Sequence, residues 1–346
     1  MITHFEVQGF GCLRKVTFPL TPLHAFIGPN DSGKSTLLKA LRYYQTAVTG
    51  ALPNDEQRAE SPSLRFAGRV GAFDYALART RSSTRWRTEI GTRNRPPHVY
   101  ESFAGLASLV SAAKWTDSEV RAADILAARL VRFDADALRQ ASPLFQEGVT
   151  PAFADQRGSG LAGAYDSILN RGDAAFGAIR DRFLLLFPTV RQLRLRNVSP
   201  ATKELSIELR DGTVVPASGM SEGMLYYLAF CALPHLDPAS LLLVEEPENG
   251  LHPARIAEVM RILREISGTG VQVVIATHSP LVVNELNPDE VSVITRRSVD
   301  EGSIVTPMTR TPNFDARSKV YALGELWLAY ANGTDEAPLL TGDGAR

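Results

Sequence analysis

"GPNDSGKST", residues 28–36, is the stretch that decides the fold. It has the spacing G-x-x-x-x-G-K-[ST], follows the apolar run "HAFI", and opens "KSTLLKALRYYQTAV", whose apolar residues recur at helical spacing. Strand, glycine-rich turn and helix in that order make an anion site. Gly28 and Gly33 permit turns and close backbone approach. The amides of Asp31 to Ser35 converge with the helix N-terminus, and Asn30, Ser32 and Thr36 complete the cradle. Lys34 has the place of the lysine that reaches β/γ-phosphates, and Ser35 that of the hydroxyl that holds Mg²⁺.

A second stretch, "LLLVEEPENGLHP" (241–253), ends a buried apolar run with Glu245 and Glu246 and stops it with Pro247. Adjacent carboxylates repel unless a positive charge faces them. Lys34 and a Mg²⁺ ion supply that charge if the run ends beside the glycine-rich turn. Glu245 then holds the metal through water, and Glu246 is a general base for an attacking water. Glu248 reads as a loop residue. "SGMSEGMLYYLAFCALP" makes Ser221 an N-cap with Glu222 and Gly223 opening an apolar helix, a second anion site in form. "VVIATHSP" ends another buried strand at Thr277-His278, and His278 is the candidate sensor of a terminal phosphate.

Outward from these, "THFEVQ" alternates as a strand, and 64–75, 84–91 and 97–104 read as strands of an antiparallel layer. Residues 106–145 read as mostly helical, with "ARLVRFD" an alternative strand. "TVRQLRLRN", "KELSIELRDG" and "TVVPAS" are strands with a hairpin turn at Asp211-Gly212. From 218 the order is clean: helix 222–233, strand 241–245, helix 254–267, strand 271–276, strand 291–295. Such alternation with continuous apolar strands predicts a parallel sheet covered on both faces. A strand near 303–309 and a helix near 317–331 precede a tail expected to be disordered.

Of 346 residues, 44% are hydrophobic and 22% charged, which suits a globular chain with a sizeable core. A net charge of -1 provides no global basic field for nucleic acid. Two cysteines, Cys12 and Cys231, form no metal or disulfide pattern and fit a reducing cytoplasm. The N-terminus does not have the form of a secretory signal. "MLYYLAFCALP" is too short to span a bilayer, so no membrane role is expected.

Taken in order, "GPNDSGKST", "MSEGM", "LLLVEEPENGLHP" and "ATHSP" resemble an ABC-class, AAA-type ATPase head. The branch they resemble holds RecF, SMC-type heads and the ATPase half of the overcoming-lysogenisation-defect (OLD) nucleases. "VQGFGCLRKVTFPLTPLHAFIGPNDSGKSTLLKAL" is similar to that branch too, and so is "EEPENGLHP", where transporter subunits usually carry Asp before the catalytic Glu. The resemblance implies an α/β P-loop NTPase fold with a mixed or parallel core sheet, an antiparallel β layer and an inserted helical subdomain. It implies a head over 1–332, divided into a nucleotide-binding lobe (1–105), a mostly helical insertion (106–200) and a lobe with the remaining motifs (201–332). ATP and Mg²⁺ would be its cofactors, and two copies would close head to tail around two ATP molecules. Lys34 and its loop would bind one nucleotide, while Ser221, Glu222 and Gly223 of the other copy cap it. Glu246 would be the base, Ser35 and Glu245 the Mg²⁺ shell, His278 the switch histidine, and "PENGLH" the loop crossing the seam. Gln156, in "FADQRGSGLAGAYDSIL", is the candidate for the family's metal-facing glutamine.

No stretch has the heptads of SMC arms. Little chain follows residue 332, where an OLD nuclease has its nuclease domain, so an ATPase without its own effector is expected. Eight arginines between 65 and 95, set against Asp74 and Glu89 with Trp86 interleaved, offer a stripe for phosphate contacts; "VRQLRLR" adds three more. An acidic partner protein would fit the same patch. Two functions follow: a dimeric switch for a separate nuclease or toxin in antiphage defence, or a RecF-like clamp on DNA. A transporter motor is disfavoured by "EEPE", by the long middle region and by the "MSEGM" form.

Overall fold

Strands β3 (Leu23–Ile27), β13 (Leu241–Glu245) and β14 (Gln272–Thr277) are buried along their whole length. Continuous apolar runs demand such burial, and a parallel sheet covered on both faces provides it. These strands pair parallel, and β15 (Val291–Arg296) runs parallel on the other side of β3. With β16 (Ser303–Pro307) antiparallel at one edge and β8 (Ala128–Val131) at the other, the order is β16-β15-β3-β14-β13-β8. The computed structural model describes residues 1–50, 63–70, 73–80, 87–92, 95–100, 102, 128–172, 174–296 and 298–331.

The chain forms two units: Met1–Leu130 with Ala239–Glu246 and Ser267–Arg346, and Val131–Pro238 with Pro247–Ile266. The first also holds an antiparallel sheet of β1 (Ile2–Phe10), β2 (Leu13–Pro19), β4 (Ser63–Val70), β5 (Phe73–Thr80), β6 (Arg87–Thr92) and β7 (Arg95–Tyr100), in the order β2-β1-β4-β5-β6-β7. Helix α1 (Lys34–Val48) buries Leu37, Leu38, Leu41, Tyr44 and Val48, one stripe at helical spacing. That stripe shares a core with Phe5, Val7, Phe18 and Phe66 of the antiparallel sheet and with Leu243, Val274 and Ile294 of the parallel one. The Tyr44 hydroxyl lies 3.1 Å from the Gly68 carbonyl and 3.0 Å from that of Tyr75, so its buried phenol is satisfied. Gln272 ties the sheets: its Oε1 accepts from the Ile2 amide at 2.8 Å, and its Nε2 donates to the Ile2 carbonyl at 2.7 Å.

The second unit has β10 (Val190–Ser199), β11 (Thr202–Leu209) and β12 (Val214–Pro216) in sequence order, with β9 (Ser142–Pro143) also on β11. Its helices are α2 (Ala135–Arg139), α3 (Leu161–Asn170), α4 (Ala175–Leu186), α5 (Glu222–Ala232) and most of α6 (Pro253–Gly268). From Leu225 to Ala232 helix α5 is buried on every side. The Tyr165 hydroxyl donates to the Leu228 carbonyl at 2.9 Å, fixing α3 on it. Buried Asp166 is held by Lys203 and accepts from Asn170 Nδ2.

The structure departs from the expected elements in several places. The 64–75 run is not one strand but most of β4 and the start of β5, and the layer has six strands. Strand β2 was not anticipated, because its buried positions Leu13, Val16 and Phe18 change phase after Leu13. A short helix, α7 (Pro280–Asn284), follows the His278 turn. The helix expected over 317–331 is two pieces, α8 (Phe314–Arg317) and α9 (Leu323–Ala331). The mostly helical reading of 106–145 holds among the described residues only at α2; "ARLVRFD" contains strand β8, its alternative reading, and β9 follows α2. Residues 106–127 and the tail after 332 lie outside the described residues. No helix among the described residues is long and apolar enough to cross a membrane.

His24, on β3, is 1% exposed. Thr21 Oγ1 donates to the Leu23 carbonyl, so His24 Nδ1, 3.0 Å away, donates to Thr21. Nε2 then accepts from the Ser292 hydroxyl at 3.1 Å, and the ring is neutral. Burial pushes its pKa down to about 4, the Glu290 carboxylate opposing in part. A histidine whose folded pKa lies below its unfolded value of about 6.5 stabilises the fold above 6.5, and loses that stability as pH falls towards 4. We expect a loss of about 2 kcal/mol between pH 7.5 and pH 5 from this group. In thermal unfolding across that range, His24→Asn should flatten the slope; a slope equal to that of the parent chain would contradict the assignment.

Candidate nucleotide site

At the end of β3 the chain enters Gly28 and leaves through Gly33 into α1. A side chain at Gly28 has no room, since its Cβ would stand 2.1 Å from the Ile294 carbonyl oxygen. At Gly33 φ is 104°, and a Cβ would stand 2.5 Å from Ser303 Oγ and 2.7 Å from Cys12 Sγ. Both glycines are therefore required by space, and Gly33 by backbone angle as well. Asp31 also has left-handed backbone, at φ 64°. The loop so formed presses against two hairpin turns, one around Cys12 and one leading into Ser303.

Helix α1 begins with no side-chain cap and no acidic residue in its first turn. Its first amides are left to the loop's concave side, where an anion is favoured. Lys34 is 9% exposed, and its Nζ donates to the Gly28 and Pro29 carbonyls at 2.8 Å each. Those bonds fold the ammonium back over the loop. Ser32 Oγ is buried without a hydrogen-bond partner among the described residues. Bare backbone, a helix N-terminus, an inward ammonium and an orphaned hydroxyl together fit a phosphate chain. Ser35, exposed in the first turn, and Glu245 are oxygen donors of the kind Mg²⁺ takes. Among the described residues no cluster of three His, Cys, Asp or Glu side chains is gathered, so Mg²⁺ would draw the rest of its shell from phosphate and water.

The sheet order brings the other motif residues of the first unit to the same edge. Thr277 pairs with Ile27, and Glu245 with Ala276, so β3, β14 and β13 end side by side. Glu245 is 7% exposed. Glu246 then turns left-handed at φ 50°, its amide bonded to the Ala276 carbonyl at 2.8 Å. A non-glycine residue in that region stores roughly 1–3 kcal/mol of strain, and this turn ends the alternation of the strand after Glu245. Glu246 Oε1 lies 3.8 Å from His278 Nδ1, and His278 is half exposed. Thr277 Oγ1 accepts from the Ser279 amide at 3.0 Å, which fixes the turn that carries His278.

Ser221, Glu222, Gly223 and Gln156 belong to the second unit. Ser221 caps α5, its Oγ accepting from the Met224 amide at 3.4 Å, with Ser221 and Glu222 exposed and Gly223 buried. The sequence did not disclose what buries Gly223. A Cβ there would stand 3.1 Å from the Gly250 carbonyl and 3.4 Å from Arg255 Nη1. Gly250, at φ 67°, would in turn strike the Tyr226 ring at 2.2 Å. The "PENGLH" loop and the start of α5 are thus one built piece. Gln156 is exposed in the loop before α3, its carbonyl accepting from the Arg132 amide at 2.8 Å.

The described arginines of the arginine-rich layer are paired with carboxylates. Arg69 grips Asp74 with two bonds at 2.8 and 3.1 Å, while Arg65 and Arg87 lie 3.3 and 3.4 Å from Glu89. The side chains of the other five arginines and of Trp86 lie outside the described residues. On β10, Arg191 and Arg194 share Glu208 at 3.0 and 2.7 Å, and Arg196 pairs with Glu204. Every described arginine of the expected stripe has a carboxylate beside it.

Comparison with known proteins bears on the family and the fold. Forty-one residues are 44% identical to the OLD nuclease of Thermus scotoductus (strain ATCC 700910 / SA-01), covering 12% of this chain and only 8% of that protein. An SMC head solved with the C-winged helix domain of ScpA superposes at TM-score 0.55, with 16% identity over 88% of this chain and 96% of the other. The SMC head with an extended coiled coil, solved with the C-terminal domain of ScpA from Pyrococcus furiosus, gives 0.51 at the same identity, over 88% and 95%. At that identity the likeness is one of fold. A family model described as "AAA domain, putative AbiEii toxin, Type IV TA system" matches residues 23–284, well over half of the chain. The chain belongs to that AAA-domain family of P-loop ATPases, and its fold is that of an ABC-type ATPase head.

Proposed function

We propose that the chain binds and hydrolyses Mg²⁺-ATP, that two copies close head to tail around two nucleotides, and that the closed and open states control a separate effector. The observation that carries this reading is the phosphate loop. Its backbone is bare at Gly28 and Gly33, and Lys34 is turned inward on two carbonyls beside the strand end of Glu245 and Glu246.

In this reading Lys34 leaves its carbonyls for the β/γ-phosphates, and the amides of Asp31 to Ser35 receive phosphate oxygens. Bound Mg²⁺, held by Ser35 and by Glu245 through water, would neutralise charge on the phosphates. Glu246 orients the attacking water and takes its proton on a carboxylate oxygen, while His278, 3.8 Å from that carboxylate, faces the terminal phosphate. Exposed Ser221 and the first amides of α5 would cap the nucleotide held by the other copy. Because the terminal phosphate is gripped from both sides, its loss weakens the dimer, and that is the switch. Gln156 would be a further metal contact.

The effector we propose is a nuclease or toxin in antiphage defence, in a reducing cytoplasm. The reading is supported by the family's description, which names a toxin of type IV systems, and by the short OLD match. A RecF-like clamp on DNA is less favoured, since Arg65, Arg69 and Arg87 are already paired with carboxylates.

Glu246→Gln should bind ATP, lose at least about a hundredfold in turnover, and accumulate a dimer on adding Mg²⁺-ATP, as read by light scattering. Turnover near the parent rate would remove the base assignment. Mixing Lys34→Ala with Ser221→Ala protein should restore part of the ATPase rate, because one composite site is then intact. No recovery in proven mixed dimers would exclude shared sites.

A further inference from the structure

Asp31 is an acid inside a loop shaped for anions, and its side chain is 92% exposed. Arg296 Nη1 lies 3.3 Å from Asp31 Oδ2, and Arg296 itself is only 22% exposed. Arg296 is the last residue of β15, the strand whose Ile294 carbonyl occupies the space beside Gly28. Across the hairpin it pairs with Ser303, whose hydroxyl donates to the Ser32 carbonyl at 2.7 Å and crowds Gly33. One hairpin, more than 260 residues away in sequence, thus touches the loop at Gly28, Asp31, Ser32 and Gly33.

We infer that the β15–β16 hairpin is part of the triphosphate site and that Arg296 is a positioning residue which neutralises Asp31 beside the phosphates. The inference rests on the ATP reading above. An unneutralised carboxylate at this place would face the most negative part of the ligand, and like charges at close range weaken binding. Ser303 supplies the neutral half of the same support by holding the Ser32 carbonyl away from the anion.

The test is equilibrium binding of N-methylanthraniloyl-ATP with Mg²⁺, read by anisotropy, to the parent chain, Arg296→Ala, Asp31→Asn and the double variant. Arg296→Ala should raise Kd about three- to tenfold, and added salt should shrink the difference. Asp31→Asn should bind at least as tightly as the parent, and the double variant should return to within about twofold of Asp31→Asn. Weakening by Asp31→Asn, or no recovery in the double variant, would overturn the inference, because a contact needed only for shape gives that pattern. If Arg296→Ala fails to fold, Asp31→Asn alone decides by the same criterion. A parent chain that binds no nucleotide overturns the ATP reading together with this one. A parent chain that binds while Arg296→Ala binds equally overturns this one alone.

Discussion

Backbone amides can surround a phosphate chain only where no side chain intervenes, and this constraint organises the first unit. Gly28 has the Ile294 carbonyl where a side chain would be, and Gly33 has Ser303 and Cys12. The loop is therefore set from outside, by a strand edge and two hairpin turns, as much as by its own sequence. Lys34 completes it from within, bridging two loop carbonyls at 2.8 Å. Those two bonds hold the ammonium over the loop.

The parallel sheet does the rest of the positioning. With β14 between β3 and β13, the ends of three buried strands deliver the glycine loop, the Thr277-His278 turn and the glutamate pair to one edge. Strain at Glu246 is part of this arrangement. An extended residue there would continue the strand; the left-handed one turns the chain out and leaves its carboxylate 3.8 Å from His278. In the second unit Gly223, Gly250 and Tyr226 lock the loop after the glutamates onto the start of α5. Movement of that loop would carry Ser221 with it.

Much of this could be read from the chain, and the exceptions have physical causes. The glycine loop, the glutamate pair and the strand ends are local patterns, legible because phosphate chemistry fixes spacing and parallel strands are apolar throughout. The supports of the loop are not local. Cys12, Arg296 and Ser303 carry no motif, and only the sheet order brings β15 and β16 beside β3. Strand β2 escaped because its buried positions change phase after Leu13, and the β4–β5 hairpin because its residues ran together as one strand. The pairing of the described arginines was not legible in the same way. Composition counts charges but not partners, and register sets Arg69 across from Asp74. Gly223 shows a limit of another kind, since its close neighbours, Gly250 and Arg255, lie on a different segment.

The central claim is that this loop grips a chain of phosphates through Lys34 and bare amides. Calorimetric titration of the intact chain with ATP and with AMP, both with Mg²⁺, tests it most directly, because the two ligands share base and sugar and differ only in the phosphates the loop would hold. ATP should bind at least about a hundredfold more tightly than AMP, a difference of ~2.7 kcal/mol. Equal affinity for the two, or binding of neither, would contradict it.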